Sequence, residues 1–100
     1  MLSRHYLSHR TIDPEVWPVP QFGARVVYHS KVSGVPLVAM VTCTLATYDP
    51  EVGRRGDLEP PTSIMHVHVQ VFSPGGSSYG ELDIGPGYGK GQWAPLEGAL

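Results

Sequence analysis

The sequence predicts an all-β domain, a small barrel of about five short strands that follows an extended N-terminal arm. Two observations carry this prediction. The 100 residues include 12 glycines and 10 prolines, which interrupt the chain too often for long helices. Between these interruptions lie short segments rich in β-branched residues, which are typical of strands. Because five short strands in one open sheet would leave two exposed edges, we expect the sheet to close into a barrel.

Each predicted strand is bounded by turn-forming residues. The segment at residues 35–47 is apolar almost throughout its centre, which indicates a central strand covered on both faces. The short segments near the C-terminus flank a glycine-rich loop and are expected to complete the sheet. In chain order the predicted strands are residues 24–30, 35–47, 63–72, 77–84 and 92–94.

The segment at residues 63–72 alternates strictly between apolar and mainly polar side chains. This period of two places alternate residues on opposite faces of a strand. Phe72 interrupts the polar face, and the pattern leaves open whether it caps the barrel or belongs to a binding patch. The face expected to point inward carries Met65, Val67, Val69 and Val71. The face expected to point to solvent or to a partner carries His66, His68, Gln70 and Phe72.

The first 22 residues form the predicted arm, and residues 23–100 form the predicted barrel domain. Three prolines, Pro14, Pro18 and Pro20, disfavour a helix and favour extended backbone. The arm also contains large apolar side chains, which are scarce in disordered tails. We therefore expect these side chains to pack on the barrel, on a neighbouring subunit or on both. The candidate partner-binding residues are Leu2, Tyr6, Leu7, Ile12, Val16 and Trp17.

Two loops stand out by length or composition. Residues 48–62 form a predicted connection that is long for a compact domain, and such connections are often functional. Residues 85–91 have the glycine content of a phosphate-binding loop. However, Lys90 is followed by Gly91 instead of Ser or Thr, and no helical pattern follows. We interpret this segment as a hairpin loop.

His66 and His68 lie on one face of their predicted strand, about 6.6 Å apart along it. Zinc sites use such pairs, but they need at least one further ligand. His29, Glu81 and Asp83 are available, and the spacing selects none of them. We therefore expect no metal and no cofactor, and we expect alanine at either histidine to leave folding and binding close to wild type.

Catalytic machinery is not indicated by any motif. Ser77 and Ser78 could combine with a histidine and an acid, but no Gly-x-Ser-x-Gly motif is present, and a triad is recognised only by its geometry. Cys43 lies in an apolar run, where a small buried side chain is the expected role and a nucleophile is the alternative. We expect no catalytic residue.

Composition and charge exclude several classes of protein. The net charge is −2 with no basic stripe, so nucleic-acid binding is not expected. A single cysteine rules out an intrachain disulfide. No apolar stretch reaches the roughly 18 residues of a membrane span, and the N-terminus lacks the apolar core of a signal peptide. We expect synthesis in a reducing cytoplasm and no membrane partner.

Four elements follow one another along the chain. They are Gly-Ala-Arg-Val-Val-Tyr at 23–28, Val-Pro-Leu-Val-Ala-Met-Val-Thr at 35–42, Val-His-Val-Gln-Val-Phe-Ser-Pro-Gly-Gly at 67–76, and Gly-Lys-Gly-Gln-Trp-Ala-Pro-Leu-Glu at 89–97. In this order they resemble small proteins encoded by phages of actinobacteria, and the resemblance covers residues 23–97. The chain departs from the family pattern at Ala94, where a second tryptophan is expected, and at Leu96, which is inserted between proline and glutamate.

This resemblance implies an SH3-like barrel and a phage origin. A small, nearly neutral domain with an anchoring arm fits a minor capsid or decoration protein, which would stabilise the shell without catalysing a reaction. The expected partners are the major capsid protein or another virion protein, with self-association as a further expectation, and the expected location is the virion. The alternative is an intracellular phage regulator or adaptor that binds a host protein or nucleic acid.

Overall fold

The structure, a computed structural model, describes residues 13–96, and its main feature is one antiparallel sheet of five strands. In space the strands follow the order β4-β3-β2-β1-β5, and every neighbouring pair is antiparallel. The predicted all-β class is confirmed. The strands are β1 (Arg25–His29), β2 (Pro36–Cys43), β3 (Val67–Phe72), β4 (Ser78–Ile84) and β5 (Trp93–Pro95).

The segment expected to be a long loop contains a short helix, α1 (Pro50–Gly56). Asp49 caps α1, because its carboxylate accepts a hydrogen bond from the backbone N–H of Glu51 at 2.9 Å. Pro50 follows at the first helical position, where proline needs no N–H donor. The prediction of a long loop at residues 48–62 was therefore wrong over Pro50–Gly56, although the Asp-Pro pair that starts the helix is visible in the sequence.

Strand β2 ends at Cys43, four residues before the predicted end. Thr44 and Thr47 form a capping box, in which each threonine side chain bonds the backbone N–H of the other. This pairing starts a 3₁₀ turn at Leu45–Thr47 and turns the chain away from the sheet. Local threonine bonds of this kind compete with the ladder of a strand. A second 3₁₀ turn lies at Pro14–Val16.

The two edges of the sheet meet at one place. The Trp93 N–H donates to the carbonyl of Gly85 at 3.0 Å, and the Gly87 N–H donates to the carbonyl of Trp93 at 2.8 Å. Glu81 of β4 also forms an ion pair with Lys31, in the β1–β2 turn, at 3.4 Å. Beyond these contacts, β4 and β5 do not pair along their length within residues 13–96. Closure into a barrel stays a prediction.

The inner face of the sheet forms the core. Val26, Ala39 and Val71 lie opposite one another on three strands and are at most 3% exposed. The predicted inner face of β3 is confirmed, because Val67, Val69 and Val71 are buried and Met65 packs against the core.

Trp17 belongs to this core although it precedes the sheet. Its ring lies 5.4 Å from that of Trp93 and 5.3 Å from that of Tyr88. The indole N–H of Trp93 donates to the carbonyl of Met65 at 2.9 Å, and Pro20 is also buried. The last part of the predicted arm therefore packs on the sheet. Whether residues 1–22 act as a unit separate from the domain stays a prediction.

Candidate functional site

The outer face of the sheet carries a row of apolar side chains that are open to solvent. Val27, Val38 and Phe72 face one another across β1, β2 and β3. Val38 is 48% exposed and Phe72 is 42% exposed. Met40, at 38% exposure, lies one row further along β2. We call Val27, Val38, Met40 and Phe72 the apolar row.

Strand β2 was expected to be covered on both faces, and that prediction was wrong. Its side chains alternate between exposed and buried from Val38 to Cys43, so the strand is covered on its inner face alone. Continuous hydrophobicity indicated the central position of the strand correctly, but it could not indicate what lies above each face. The exposed residues of β2 were therefore not recognised as a surface from the sequence.

Polar side chains flank the apolar row. Arg25 and Gln70 lie on either side of Met40 in the register of the sheet, and the Gln70 amide donates to the hydroxyl of Ser78 at 2.9 Å. An exposed apolar patch with a polar margin is the usual appearance of a protein-binding surface. The members of the apolar row, two valines, a methionine and a phenylalanine, carry no titratable or nucleophilic group.

His68 was expected on this outer face, open to solvent or to a partner, and the structure instead buries it at 3% exposure. Its Nδ1 accepts a hydrogen bond from the Asp83 N–H at 2.9 Å. Its Nε2 lies 2.7 Å from the carbonyl oxygen of Glu59. Because Nδ1 is an acceptor, the ring carries its proton on Nε2 and donates to Glu59. The segment after α1 folds over this end of the sheet, which a strand pattern cannot reveal.

His66 has a different partner from His68, with its Nδ1 2.7 Å from the hydroxyl of Ser63. Within residues 13–96, no three His, Cys, Asp or Glu side chains are grouped so that they could hold a metal ion. The candidate third ligands have other contacts. His29 lies 3.2 Å from the Gln92 carbonyl, and Glu81 pairs with Lys31.

A cavity of about 470 Å³ lies beside His68 at the end of the outer face. Asp57 and Asp83 on its margin both have left-handed backbone, with φ of 57° and 56°. The carboxylate of Asp83 accepts hydrogen bonds from the N–H and the hydroxyl of Thr62 at 2.9 and 3.1 Å, and these bonds lower the pKa of Asp83. The lining residues are Asp57, Glu59, Pro60, Pro61, Thr62, His68, Leu82 and Asp83.

One wall of this cavity depends on a close approach at Gly53. The hydroxyl of Tyr48 donates to the carbonyl of Leu58, and it lies where a side chain at Gly53 would have to be. Because Gly53 has no side chain, Tyr48 can pass close to α1 and form its hydrogen bond with Leu58, the residue before Glu59. This bond fixes the start of the segment that covers His68.

The six candidate residues of the arm are only partly described by the structure. Val16 is 69% exposed, whereas Trp17 is 8% exposed in the core. Burial within its own chain does not support Trp17 as a partner-binding residue. The candidates that lie outside the described residues are Leu2, Tyr6, Leu7 and Ile12.

Comparison with protein-family models, with curated proteins and with solved structures finds no match to this chain. The part of the chain that the structure describes holds no helix with the length and hydropathy of a membrane span.

Proposed function

We propose that this chain is a non-enzymatic structural protein that binds a protein partner through the outer face of its sheet. The observation that supports this function is the apolar row, whose members lie on a sheet already ordered by its own core. Covering a large apolar side chain completely stabilises a complex by about 1.5–3 kcal/mol. Val38, Met40 and Phe72 are each about half exposed, so together they could contribute roughly 2–4 kcal/mol.

A rigid sheet suits such a role. Binding costs free energy when loops and side chains must be ordered, and the backbone of β1, β2 and β3 is already held in a hydrogen-bonded ladder. Val38 and Phe72 have few rotatable bonds, which further lowers the cost of ordering them. A small contact area on this face can therefore contribute usefully to binding.

We propose further that the partner is the shell of a phage particle, with the chain as a minor capsid or decoration protein in the virion. This step is supported by the resemblance of residues 23–97 to small actinobacterial phage proteins, which also implies an SH3-like barrel. The major capsid protein is the expected partner. The apolar residues at the start of the arm would supply a second contact.

The test combines virion composition with binding by variants. Mass spectrometry of purified particles should detect the chain in stoichiometric amount. Its absence there would favour the alternative of an intracellular regulator or adaptor. The purified protein should also co-sediment with particles that lack it.

Substitutions on the exposed surface locate the contact. Val38→Ser and Phe72→Ser should each weaken co-sedimentation, because each removes about 1 kcal/mol or less of apolar contact. The two changes combined should weaken it by about tenfold. The melting temperature should stay unchanged. Val32→Ser is the matched control, because Val32 is 81% exposed but lies in a turn outside the sheet. Equal binding by all three variants would contradict the proposed contact surface.

A further inference from the structure

The cavity beside His68 has a negatively charged margin that is not neutralised within the described chain. Asp57, Glu59 and Asp83 all line it. None of the three forms an ion pair with another residue among 13–96, whereas Glu51 and Glu81 both do. Three carboxylates without an ion-pair partner around one concave surface create a local field that favours a cation.

The interior surface between these carboxylates is mainly apolar. Leu82 is 56% exposed and lies beside Pro60 and Pro61 in the lining. An apolar wall that ends in negative charge matches the side chains of lysine and arginine. Their aliphatic stems pack on apolar surface while the charged ends reach polar groups. Charge-assisted hydrogen bonds from such a cation to a carboxylate are stronger than neutral ones.

The cavity also continues the outer face of the sheet. His68 lines the cavity and lies two residues from Gln70 on β3, and Gln70 is opposite Met40 in the register of the sheet. Residues two apart on a strand share a face and are about 7 Å apart. A protein segment lying on the apolar row could therefore place a neighbouring side chain in the cavity.

We propose that this cavity binds a lysine or arginine side chain of the protein segment that covers the apolar row. The inference deepens the proposed function, because it states the chemistry of the partner: apolar residues next to a basic one. The Thr62 hydrogen bonds that lower the pKa of Asp83 keep its carboxylate ionised. A divalent metal is not the expected occupant, since these acids are not grouped as ligands.

The test uses the full chain and two short peptides, followed by NMR spectroscopy of the backbone amides. The first peptide is acetyl-Leu-Arg-Val amide, and the second has glutamine in place of arginine. The arginine peptide should shift the amide signals of Glu59, Leu82 and Asp83 at concentrations up to about 10 mM, as expected for a small ligand with weak affinity. The glutamine peptide should leave these signals in place.

Charge-neutralising variants then test the carboxylates. Glu59→Gln and Asp57→Asn should each weaken binding of the arginine peptide by about threefold, the size of one exposed ion pair. Glu15→Gln is the matched control, because it removes one charge at an exposed residue that does not line the cavity. The melting temperature of each variant should match that of the wild type.

Several results would overturn the inference. They are equal shifts with both peptides, unchanged affinity in the Glu59 and Asp57 variants, or no shift at the cavity up to about 10 mM. Shifts confined to Val38 and Phe72 that do not depend on charge would also overturn it, while leaving the apolar row as a binding surface. If the proposed function is wrong, the protein will not co-sediment with particles, and that experiment does not use these peptides.

Discussion

The two faces of β1, β2 and β3 carry similar apolar side chains but differ in what covers them. On the inner face, Val26, Ala39 and Val71 are at most 3% exposed, whereas on the outer face Val38 and Phe72 are 48% and 42% exposed. The inner residues are explained by folding alone, since they pack against one another. Apolar residues that stay exposed on an ordered sheet gain nothing comparable from folding, so a partner is the physical reason we propose for them.

The largest expected effect separates the two faces by a buried charge. Val69→Asp places a carboxylate at a position that is 1% exposed, and an unpaired buried charge costs several kcal/mol, enough to unfold a small domain. Val38→Asp places the same charge on the outer face, where the cost should stay below about 1 kcal/mol. Circular dichroism on heating should show an unfolded Val69 variant and a folded Val38 variant. Similar melting curves for both would mean that the faces are not distinct.

The next prediction applies the same contrast to the arm. Trp17→Ala removes a ring that packs on Trp93 and Tyr88, and truncation of a buried tryptophan costs about 3–5 kcal/mol. Val16→Ala, at the neighbouring exposed position, should change stability by less than about 0.5 kcal/mol. Urea denaturation measures both. Equal small effects would show that Trp17 is not part of the core and would restore it as a candidate anchor.

Truncation extends this test to the boundary at residue 22. Deletion of residues 1–20 removes Trp17 and Pro20, which are both buried, so it should destabilise the domain. Deletion of residues 1–12 should keep the melting temperature and weaken partner binding, if the apolar residues there contact the partner. A stable fold after the longer deletion would support a separate arm.

Much of the fold could be predicted because the strands carry local signals. The alternation at residues 63–72 correctly assigned Val67, Val69 and Val71 to the core, and the turn residues separated the strands. The helix α1 was missed because a seven-residue helix has too few turns for a periodic pattern. Its start at Asp49 and Pro50 was the available signal.

The candidate site was harder to predict because it depends on long-range cover. Alternation places His68 and Phe72 on one face, yet His68 is buried and Phe72 is exposed. The difference arises from the segment around Glu59, whose carbonyl accepts the His68 hydrogen bond. Nothing in the strand pattern specifies where that segment folds. The acidic margin of the cavity likewise joins residues that are about 25 positions apart in sequence.

His68 and His66 provide the next prediction, and the structure revises the earlier expectation for His68. His68→Ala removes a side chain that is 3% exposed together with its two hydrogen bonds, to the Asp83 N–H and to the Glu59 carbonyl, and each such bond contributes about 0.5–1.5 kcal/mol. His66→Ala removes one bond to Ser63 and should cost about 1 kcal/mol or less. Chemical denaturation should therefore rank His68→Ala as clearly less stable. The reverse order would show that the segment around Glu59 does not depend on His68.

The smallest expected effect concerns the charge of Asp83 at the margin of the cavity. Its pKa is lowered, chiefly by the hydrogen bond from the Thr62 N–H, so the folded protein binds this proton less readily than the unfolded chain does. The carboxylate therefore contributes stability above the ordinary aspartate pKa of about 3.9, and the contribution is lost as the pH falls through the lowered value.

Asp83→Asn keeps an acceptor oxygen and a residue that tolerates left-handed backbone. Near pH 7 the unfolding free energy of the wild type should be higher than that of this variant. The difference should be less than about 1 kcal/mol, because water screens an exposed carboxylate. It should become smaller below about pH 4. Asp57→Asn is the control, because Asp57 has the same left-handed φ and its carboxylate accepts no hydrogen bond from residues 13–96. A difference for Asp83→Asn that stays constant from pH 7 to pH 3 would show that the ionised carboxylate does not hold Thr62.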